Sequence, residues 1–314
     1  MKKLKTYISG IEKLSVNTAD ILSQISTIDY ISVTSEPELK ELLNKCDIFW
    51  LRLNHNLTRT LLENTRCKYI VCAVTGLDHI DVESCNEFGI EVISLKGETK
   101  FLKEVRATAE HTIGLLLALI RKSKKAFTHV ESGEWNRYLF EGTELYKKKI
   151  GIYGFGRLGK IVAEYASVFG MEIYYYDIKE VESPNSYIKC DSPEELCSLV
   201  DVLSIHLPYN DDTHSILNEG LFKLMKPSIN IVNTSRGGVV NEVELLDYIK
   251  TSKIAGYATD VLYGEPLIQN HSLIQYASKN NNVLITPHIA GNTLESIEKT
   301  ENFVAKKLYD IINE

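Results

Sequence analysis

No run of apolar residues in this chain is long enough to cross a bilayer: the longest, Ile113 to Ile120, falls well short of the roughly 20 residues a membrane helix needs. The opening residues, Met-Lys-Lys-Leu-Lys-Thr-Tyr-Ile-Ser, lack the apolar core of a secretory signal. Basic charge is not in excess either. A net charge of −7 argues against nucleic acid as a partner, since phosphate-backbone binding normally shows as a basic patch or stripe. Cysteine is sparse and unpatterned: Cys46, Cys67, Cys72, Cys85, Cys190 and Cys197 form no C-x-x-C pair and no metal-ligand spacing with histidine, so no metal is expected. They read as buried thiols in a reducing, cytoplasmic setting. Solenoid repeats and low-complexity linkers are absent as well. What remains is a globular composition, 44% hydrophobic and 25% charged, over 314 residues, enough for two domains with a core each.

The most informative stretch runs from Lys149 to Asp177. A short β-rich segment leads into Gly154-Phe-Gly156-Arg-Leu-Gly159, then an apolar helical run, then Glu172-Ile-Tyr-Tyr-Tyr-Asp177. Strand, glycine turn, helix and second strand closed by an acid make a βαβ dinucleotide-binding unit. Gly154 takes the tight turn, Gly156 lets backbone N–H groups approach a pyrophosphate at the helix N-terminus, and Gly159 lets helix and strand pack closely. Asp177 stands roughly 20 residues beyond the turn, where an acid receives the ribose hydroxyls. A glycine motif alone is weak, and its bland reading is a glycine-rich turn. The flanking elements and the acid make the case.

Before that unit, residues 1 to about 95 alternate between strand-like segments (Cys46 to Leu53, Tyr69 to Val74, Glu91 to Ser94) and helical ones (Glu38 to Asn44, Thr58 to Glu63), a small parallel α/β layer. Ligands of such sheets bind at the carboxyl ends of the strands, here the loops holding Arg52, Asn54, Thr75 and Gly76. Arg52 taken alone reads equally well as a surface charge. Arg106 to Lys125 is expected as one long helix, apolar round most of its circumference, with His111 a hydrogen-bonded core or interface residue. Beyond Lys149 the strand-like segments Val200 to Leu207, Ile229 to Asn233, Ile254 to Thr259 and Val283 to Thr286 bring the second sheet to six. Helices are expected around Leu217 to Met225 and Val243 to Lys250, and a final helix, Leu294 to Ile312, returns to the first domain.

Three strand ends carry the reactive side chains: Asn233-Thr-Ser-Arg236-Gly-Gly238, Asp260 through Glu265-Pro266, and Thr286-Pro287-His288. Arg236 can fork onto a carboxylate and polarise the adjacent carbonyl. His288 can give a proton to a carbonyl oxygen or take one from an alcohol, and Glu265, bonded to the other ring nitrogen, would fix the tautomer. Each has a bland reading as a loop or helix-end charge. Together, behind a dinucleotide unit, they fit hydride transfer to a 2-oxo acid.

With these motifs in place, the chain resembles the D-isomer-specific 2-hydroxyacid dehydrogenase family, through Gly154-Phe-Gly-Arg-Leu-Gly159, His206-Leu-Pro208, Asn233-Thr-Ser-Arg-Gly-Gly238, Asp260 to Glu265-Pro266 and Pro287-His288. The resemblance covers nearly the whole chain. It implies an α/β fold of two Rossmann-like domains with doubly wound parallel sheets and the active site in the cleft between them. The implied substrate domain spans 1–100 and 290–314, and the NAD domain spans 101–289. Catalysis falls to Arg236, Glu265 and His288. NAD is held by Gly154, Phe155, Gly156, Arg157, Leu158, Gly159, Asp177, His206, Pro208, Thr213, Thr234, Asp260 and His288, and the substrate by Arg52, Thr75, Gly76 and Arg236. A homodimer built on the long helix is implied too, with an arm around Trp135 embracing the partner.

Two departures from the family pattern stand out. Asn241 replaces a frequent carboxylate at a helix start, where Asn caps equally well. The loop Lys96-Gly-Glu-Thr-Lys100-Phe-Leu-Lys103-Glu-Val-Arg106 is longer and more basic than the family's usual link; it reads either as a recognition element for a second anionic group on the substrate or as solvated mixed charge. The competing function is an NAD(H)-sensing binding protein on the same fold. The intact Arg236, Glu265 and His288 set favours an enzyme.

Overall fold

Segments as apolar as Ile48-Phe-Trp-Leu51 must be covered on both faces. The computed structural model, which describes residues 3–314, resolves the chain into two compact units, one reaching Val105 and resuming at Thr293, the other Arg106–Asn292. The first unit is a parallel sheet of β1 (Leu4–Ser9), β2 (Ser26–Ile31), β3 (Ile48–Leu51), β4 (Tyr69–Cys72) and β5 (Glu91–Ser94) in the order β2-β1-β3-β4-β5. The alternation of β3 sorts its side chains between two cores. Phe49 and Leu51 join Leu39, Leu43 and Leu62 of α2 (Glu36–Leu43) and α3 (Arg59–Leu62) on one face. Ile48 and Trp50 join Leu22 of α1 (Val16–Ile25) and Val304 and Leu308 of the C-terminal helix (Leu294–Asn313) on the other. A further helix, α4 (Val82–Glu87), precedes β5.

The C-terminal helix belongs to the first unit, whose first segment reaches Val105. Phe101, in the 3-10 turn Phe101–Glu104, stacks on Phe303 with ring centroids 4.0 Å apart, and Lys299 Nζ donates to Glu104 O at 3.3 Å. These contacts hold the turn on the C-terminal helix.

The second unit begins with α5 (Ala107–Ile120) and α6 (Ser123–Glu131), where the sequence suggested one helix to Lys125. The break has a local cause. Lys122 is left-handed at φ 54°, and the returning chain closes on the helix end, with Thr143 N donating to Ile120 O at 3.3 Å and Gly142 so close that a Cβ would lie 2.5 Å from that carbonyl. Burial covers most of α5, leaving Glu110 and Gly114 exposed.

The sheet of this unit has seven parallel strands, one more than expected: β6 (Lys149–Tyr153), β7 (Glu172–Tyr176), β8 (Ile188–Lys189), β9 (Val202–Ile205), β10 (Asn230–Asn233), β11 (Gly256–Thr259) and β12 (Val283–Ile285), ordered β12-β11-β10-β9-β6-β7-β8. The addition, β8, is an exposed two-residue edge that carries no hydrophobic pattern. Helices α7 (Arg157–Val168), α8 (Pro193–Leu199), α9 (Glu219–Phe222), α10 (Glu242–Lys250) and α11 (Ser272–Ala277) connect the strands, and the order reverses between β6 and β9, the switch point of a doubly wound sheet. Asn241 caps α10, its side chain accepting from Glu244 N at 3.3 Å.

Leu308 is fully buried against the first sheet, so Leu308→Ala should lower the stability of that unit by about 2–5 kcal/mol through lost transfer energy and an unfilled cavity. Urea unfolding monitored at the buried Trp50 measures this; a loss below 1 kcal/mol would mean the C-terminal helix is not part of that core.

Candidate active site

The turn after β6 has no room for side chains where the chain needs it bare. Gly154 sits at φ 92° and a Cβ there would lie 2.5 Å from His206 O; a Cβ on Gly159 would lie 2.2 Å from Gly154 O. At Gly156, by contrast, an added Cβ meets nothing within 4 Å, so the space above the N-terminus of α7 is open. A closed turn beneath an open amide cradle fits a pyrophosphate. Asp177 braces it, with Oδ2 accepting from Phe155 N at 2.8 Å and Oδ1 from Lys179 N at 2.9 Å, while Phe155 stacks on Tyr175. His206 bonds Ser204 Oγ through Nε2 at 2.8 Å; burial, with the charge of Arg157 adding to it, pushes the imidazole down to about 3 and keeps it neutral. Burial also lowers Arg157.

Beyond β10, Asn233 shapes the next loop from a fully buried position. Its Oδ1 accepts from Ser235 N at 3.0 Å and Ser235 Oγ at 2.7 Å, and its Nδ2 donates to Arg236 O at 2.9 Å. The turn holds Arg236 half-buried with Nη1 donating to Ser235 O at 2.9 Å. Gly237 packs backbone to backbone on the following loop, where a Cβ would be 2.1 Å from Leu262 C.

After β11, the buried Asp260 collects donors from the exit of β12: Thr286 Oγ1 at 2.5 Å, Ile289 N at 2.9 Å and Ala290 N at 2.7 Å, with His111 Nε2 at 3.4 Å. Burial alone would raise this carboxyl, but His111, Thr286 and the two amides outweigh it, so Asp260 is held below the usual carboxylate range. Its carbonyl accepts from His288 N at 2.8 Å and fixes His288 at φ 53°, uncommon for a residue with a side chain. In that pose His288 Nδ1 meets Glu265 Oε1 at 2.5 Å, and Glu265 Oε2 accepts from Leu262 N at 3.1 Å. With Nδ1 committed to the acid, Nε2 is the nitrogen left for a reacting oxygen.

The family model described as D-isomer specific 2-hydroxyacid dehydrogenase, NAD binding domain, matches residues 113–290. The chain belongs to this family. A D-3-phosphoglycerate dehydrogenase of Methanocaldococcus jannaschii is 32% identical over 96% of this chain and 56% of its own length. A hydroxypyruvate reductase of Thermotoga maritima is 31% identical over 89% of this chain and 90% of its own. The structure of D-lactate dehydrogenase from Aquifex aeolicus complexed with NAD and lactic acid superposes with a TM-score of 0.85 at 27% identity, covering 98% of this chain and 96% of that one. The chain spans about half the length of the phosphoglycerate dehydrogenases it matches.

In this member of the family, Arg236, Glu265 and His288 stand on three successive strand-end loops of one sheet, tied together by Asp260 and Gly237. The expected cofactor residues divide differently. The hydroxyl of Thr213 donates to Pro208 O at 2.7 Å and closes its own loop, and that of Thr234 pairs with Thr112 Oγ1 at 2.7 Å, so both act first on the protein. In the first unit, Arg52 follows β3 and its Nη2 meets Glu301 Oε1 at 3.0 Å, a carboxylate only 1% exposed. Thr75 ends the bend after β4 and Gly76 follows it. His111 is hydrogen-bonded as the sequence suggested, at 2.9 Å to Thr286 Oγ1. Sequence reasoning missed Glu242 and His271, which pair at 2.9 Å beside the Glu265 loop; an acid in the first turn of a helix ordinarily means dipole complementarity, and nothing in the string singled it out.

Asp260→Asn turns an acceptor into a donor facing a backbone N–H and should cost about 1–3 kcal/mol at neutral pH. Because the folded carboxyl is held low, its contribution is present above the unfolded carboxylate range, near 4, and is lost as pH falls through the folded value. The stability gap between wild type and Asp260→Asn, followed by urea titration from pH 7 to pH 3, should therefore narrow on acidification. A gap that widens would contradict the assignment.

Proposed function

We propose that the protein is an NAD-dependent D-2-hydroxyacid dehydrogenase, moving hydride between NAD(H) and C2 of a small 2-oxo or D-2-hydroxy acid. The observation that carries the reading is the Glu265–His288 pair, aimed by Asp260 and set beside Arg236 on adjacent loops behind the glycine turn. Bound NADH supplies the hydride that turns the carbonyl carbon into the alcohol carbon. Arg236 forks onto the substrate carboxylate and polarises the neighbouring carbonyl. His288 delivers the proton from Nε2 to the carbonyl oxygen, and Glu265 stabilises the charged ring and holds its tautomer. The backbone amides around Gly156 and the carboxylate of Asp177 would hold the cofactor, with Thr75 and Gly76 in the first unit as further candidates for a carboxylate.

The sensor alternative differs in one respect: it binds NADH and turns nothing over. A panel of 2-oxo acids including glyoxylate and hydroxypyruvate, assayed by NADH oxidation, tests this directly. His288→Ala should lower kcat by about 100-fold or more with NADH affinity nearly unchanged, and Glu265→Gln, which removes the acceptor charge behind the ring, should lower kcat as well. Tight NADH binding without turnover of any acid would support the sensor.

Asp177 favours NAD(H), because its carboxylate repels a 2′-phosphate. The ratio of kcat/KM for NADH over NADPH should exceed tenfold and shrink in Asp177→Ala; equal efficiency in the wild type would rule the preference out.

Whether the substrate carries a second anionic group turns on the basic loop. Arg106 is paired with Glu164 at 3.0 Å, while Lys96, Lys100 and Lys103 are exposed. If these lysines recognise an anion, Lys100→Gln with Lys103→Gln raises KM for the acid but not for NADH, in a salt-dependent way. Efficient turnover of glyoxylate, unaffected by the double substitution, would reduce the loop to surface.

A homodimer is part of the same reading. Phe127, Val130, Trp135, Tyr138 and Leu139 are all exposed, Trp135 at 87%, and α6 buries no residue within its own chain, which is the kind of apolar patch a partner covers. Sedimentation should give twice 35.5 kDa, reduced toward the monomer by Trp135→Ala with Tyr138→Ala. The six free, buried cysteines support a reducing, cytoplasmic location, and among the described residues no helix is long and apolar enough to cross a membrane.

A further inference from the structure

Glu242 is an acid with no part in the proton transfer described above, yet it is only 6% exposed and touches the loop that carries Glu265. It is the first residue of α10, immediately after the Asn241 cap and six residues beyond Arg236. Both of its carboxylate oxygens lie 3.3 Å from Tyr263 N, and Oε2 lies 2.9 Å from His271 Nε2. The preceding amide, Leu262 N, donates to Glu265 Oε2 at 3.1 Å. Two consecutive N–H groups of one loop are thus gripped by two different carboxylates, one from α10 and one from the loop's own end. At the same point Gly237 presses on the loop backbone, an added Cβ lying 2.2 Å from Tyr263 N.

We propose that Glu242 is a positioning residue: by clamping Tyr263 N–H and His271 it fixes the Leu262–Glu265 turn against the Arg236 loop and so sets Glu265 on His288. This deepens the dehydrogenase reading and rests on it for the kinetic part of its test. The clamp joins the start of α10, the turn after β11 and the segment leading into α11, and it replaces what a short polar loop would otherwise leave to solvent. Burial, with the neighbouring charge of Glu265 adding to it and Tyr263 N–H opposing, pushes the Glu242 carboxyl up to about 8, while burial lowers His271. The 2.9 Å contact with His271 Nε2 gives the buried carboxyl a second hydrogen-bond partner beside Tyr263 N–H. The Nδ1 of His271 is itself buried with no hydrogen-bond partner among the described residues, so Glu242 is the contact that orients the ring.

Glu242→Ala removes the acceptor for Tyr263 N–H and the partner of His271, whereas Glu242→Gln keeps an acceptor oxygen at the same reach. With the acid that the wild type turns over best, Glu242→Ala should lower kcat by about 10- to 100-fold, since displacements near 1 Å at a reacting group have effects of that size. KM for the acid and the dissociation constant for NADH should stay within about twofold. Glu242→Gln should restore kcat to within about threefold of wild type. A crystal structure of unliganded Glu242→Ala supplies a readout independent of turnover: Glu265 Oε1 and His288 Nδ1 should be separated beyond hydrogen-bonding range. An Ala variant with wild-type kcat, or one whose crystal structure keeps that pair joined, overturns the proposal. A wild type that reduces no 2-oxo acid overturns the dehydrogenase reading instead, and the crystal structure then decides the role of Glu242 alone.

Discussion

The carboxylate of Asp260 is the group on which the geometry at the strand ends depends. A buried charge is tolerated only when its hydrogen-bonding capacity is nearly saturated, and Asp260, 1% exposed, draws its donors from Thr286, Ile289, Ala290 and His111. Those donors lie on the exit of β12 and on α5, so meeting the demand of one acid fixes the path of residues 286 to 290. The left-handed backbone of His288 follows from this. A conformation that costs on the order of 1 kcal/mol or more persists because the surrounding bonds over-determine it.

How much of this was visible in the sequence depended on whether the residue's role could be read from its local string. Arg236, Glu265 and His288 were legible because side chains with acid-base or anion-binding chemistry sat just after apolar strand-like runs, where parallel sheets present ligands. Of the strands the sequence names, Glu91 to Ser94 agrees at both ends, and segments such as Tyr69 to Val74 and Ile254 to Thr259 are drawn slightly too long because apolar residues flank the ladder; β1 (Leu4–Ser9) is not among those named. Elements with a mixed pattern were missed. Residues Ser26–Ile31 form an edge strand in which only Ser26 is buried, and β8 is an exposed pair. The break at Lys122 could not be anticipated, since it is imposed by Gly142 and Thr143 arriving from a distant part of the chain.

Long-range polar pairs were invisible for the same reason. Arg52 read as either a surface charge or a site residue, and the structure gives it a buried partner in Glu301, 249 positions away. Burial raises the Glu301 carboxyl, and the hydrogen bond and charge of Arg52 oppose the rise. Arg52 is therefore bound into the frame of its own unit, and any ligand it contacts meets a guanidinium whose charge is already partly matched. Such a group orients by geometry more than it attracts by charge, which suits a neutral hydroxyl or a carboxylate with other partners better than an isolated anion.

An acid in the first turn of α10 ordinarily complements the helix dipole, and magnitudes decide against that as the whole account of Glu242. The N-terminal dipole offers an acid only about 0.3–1 kcal/mol and acts to lower its pKa. Here the carboxyl is pushed the other way, to about 8, with burial the largest cause and Glu265 contributing. A residue chosen for helix stability alone would be better placed in solvent, as Glu295 is in the first turn of the C-terminal helix. Stability by itself does not explain an acid kept buried against its preference, beside a second acid and in contact with the backbone of the loop that aims it. Positions where local rules fail in this way are where structure is constrained by something besides folding.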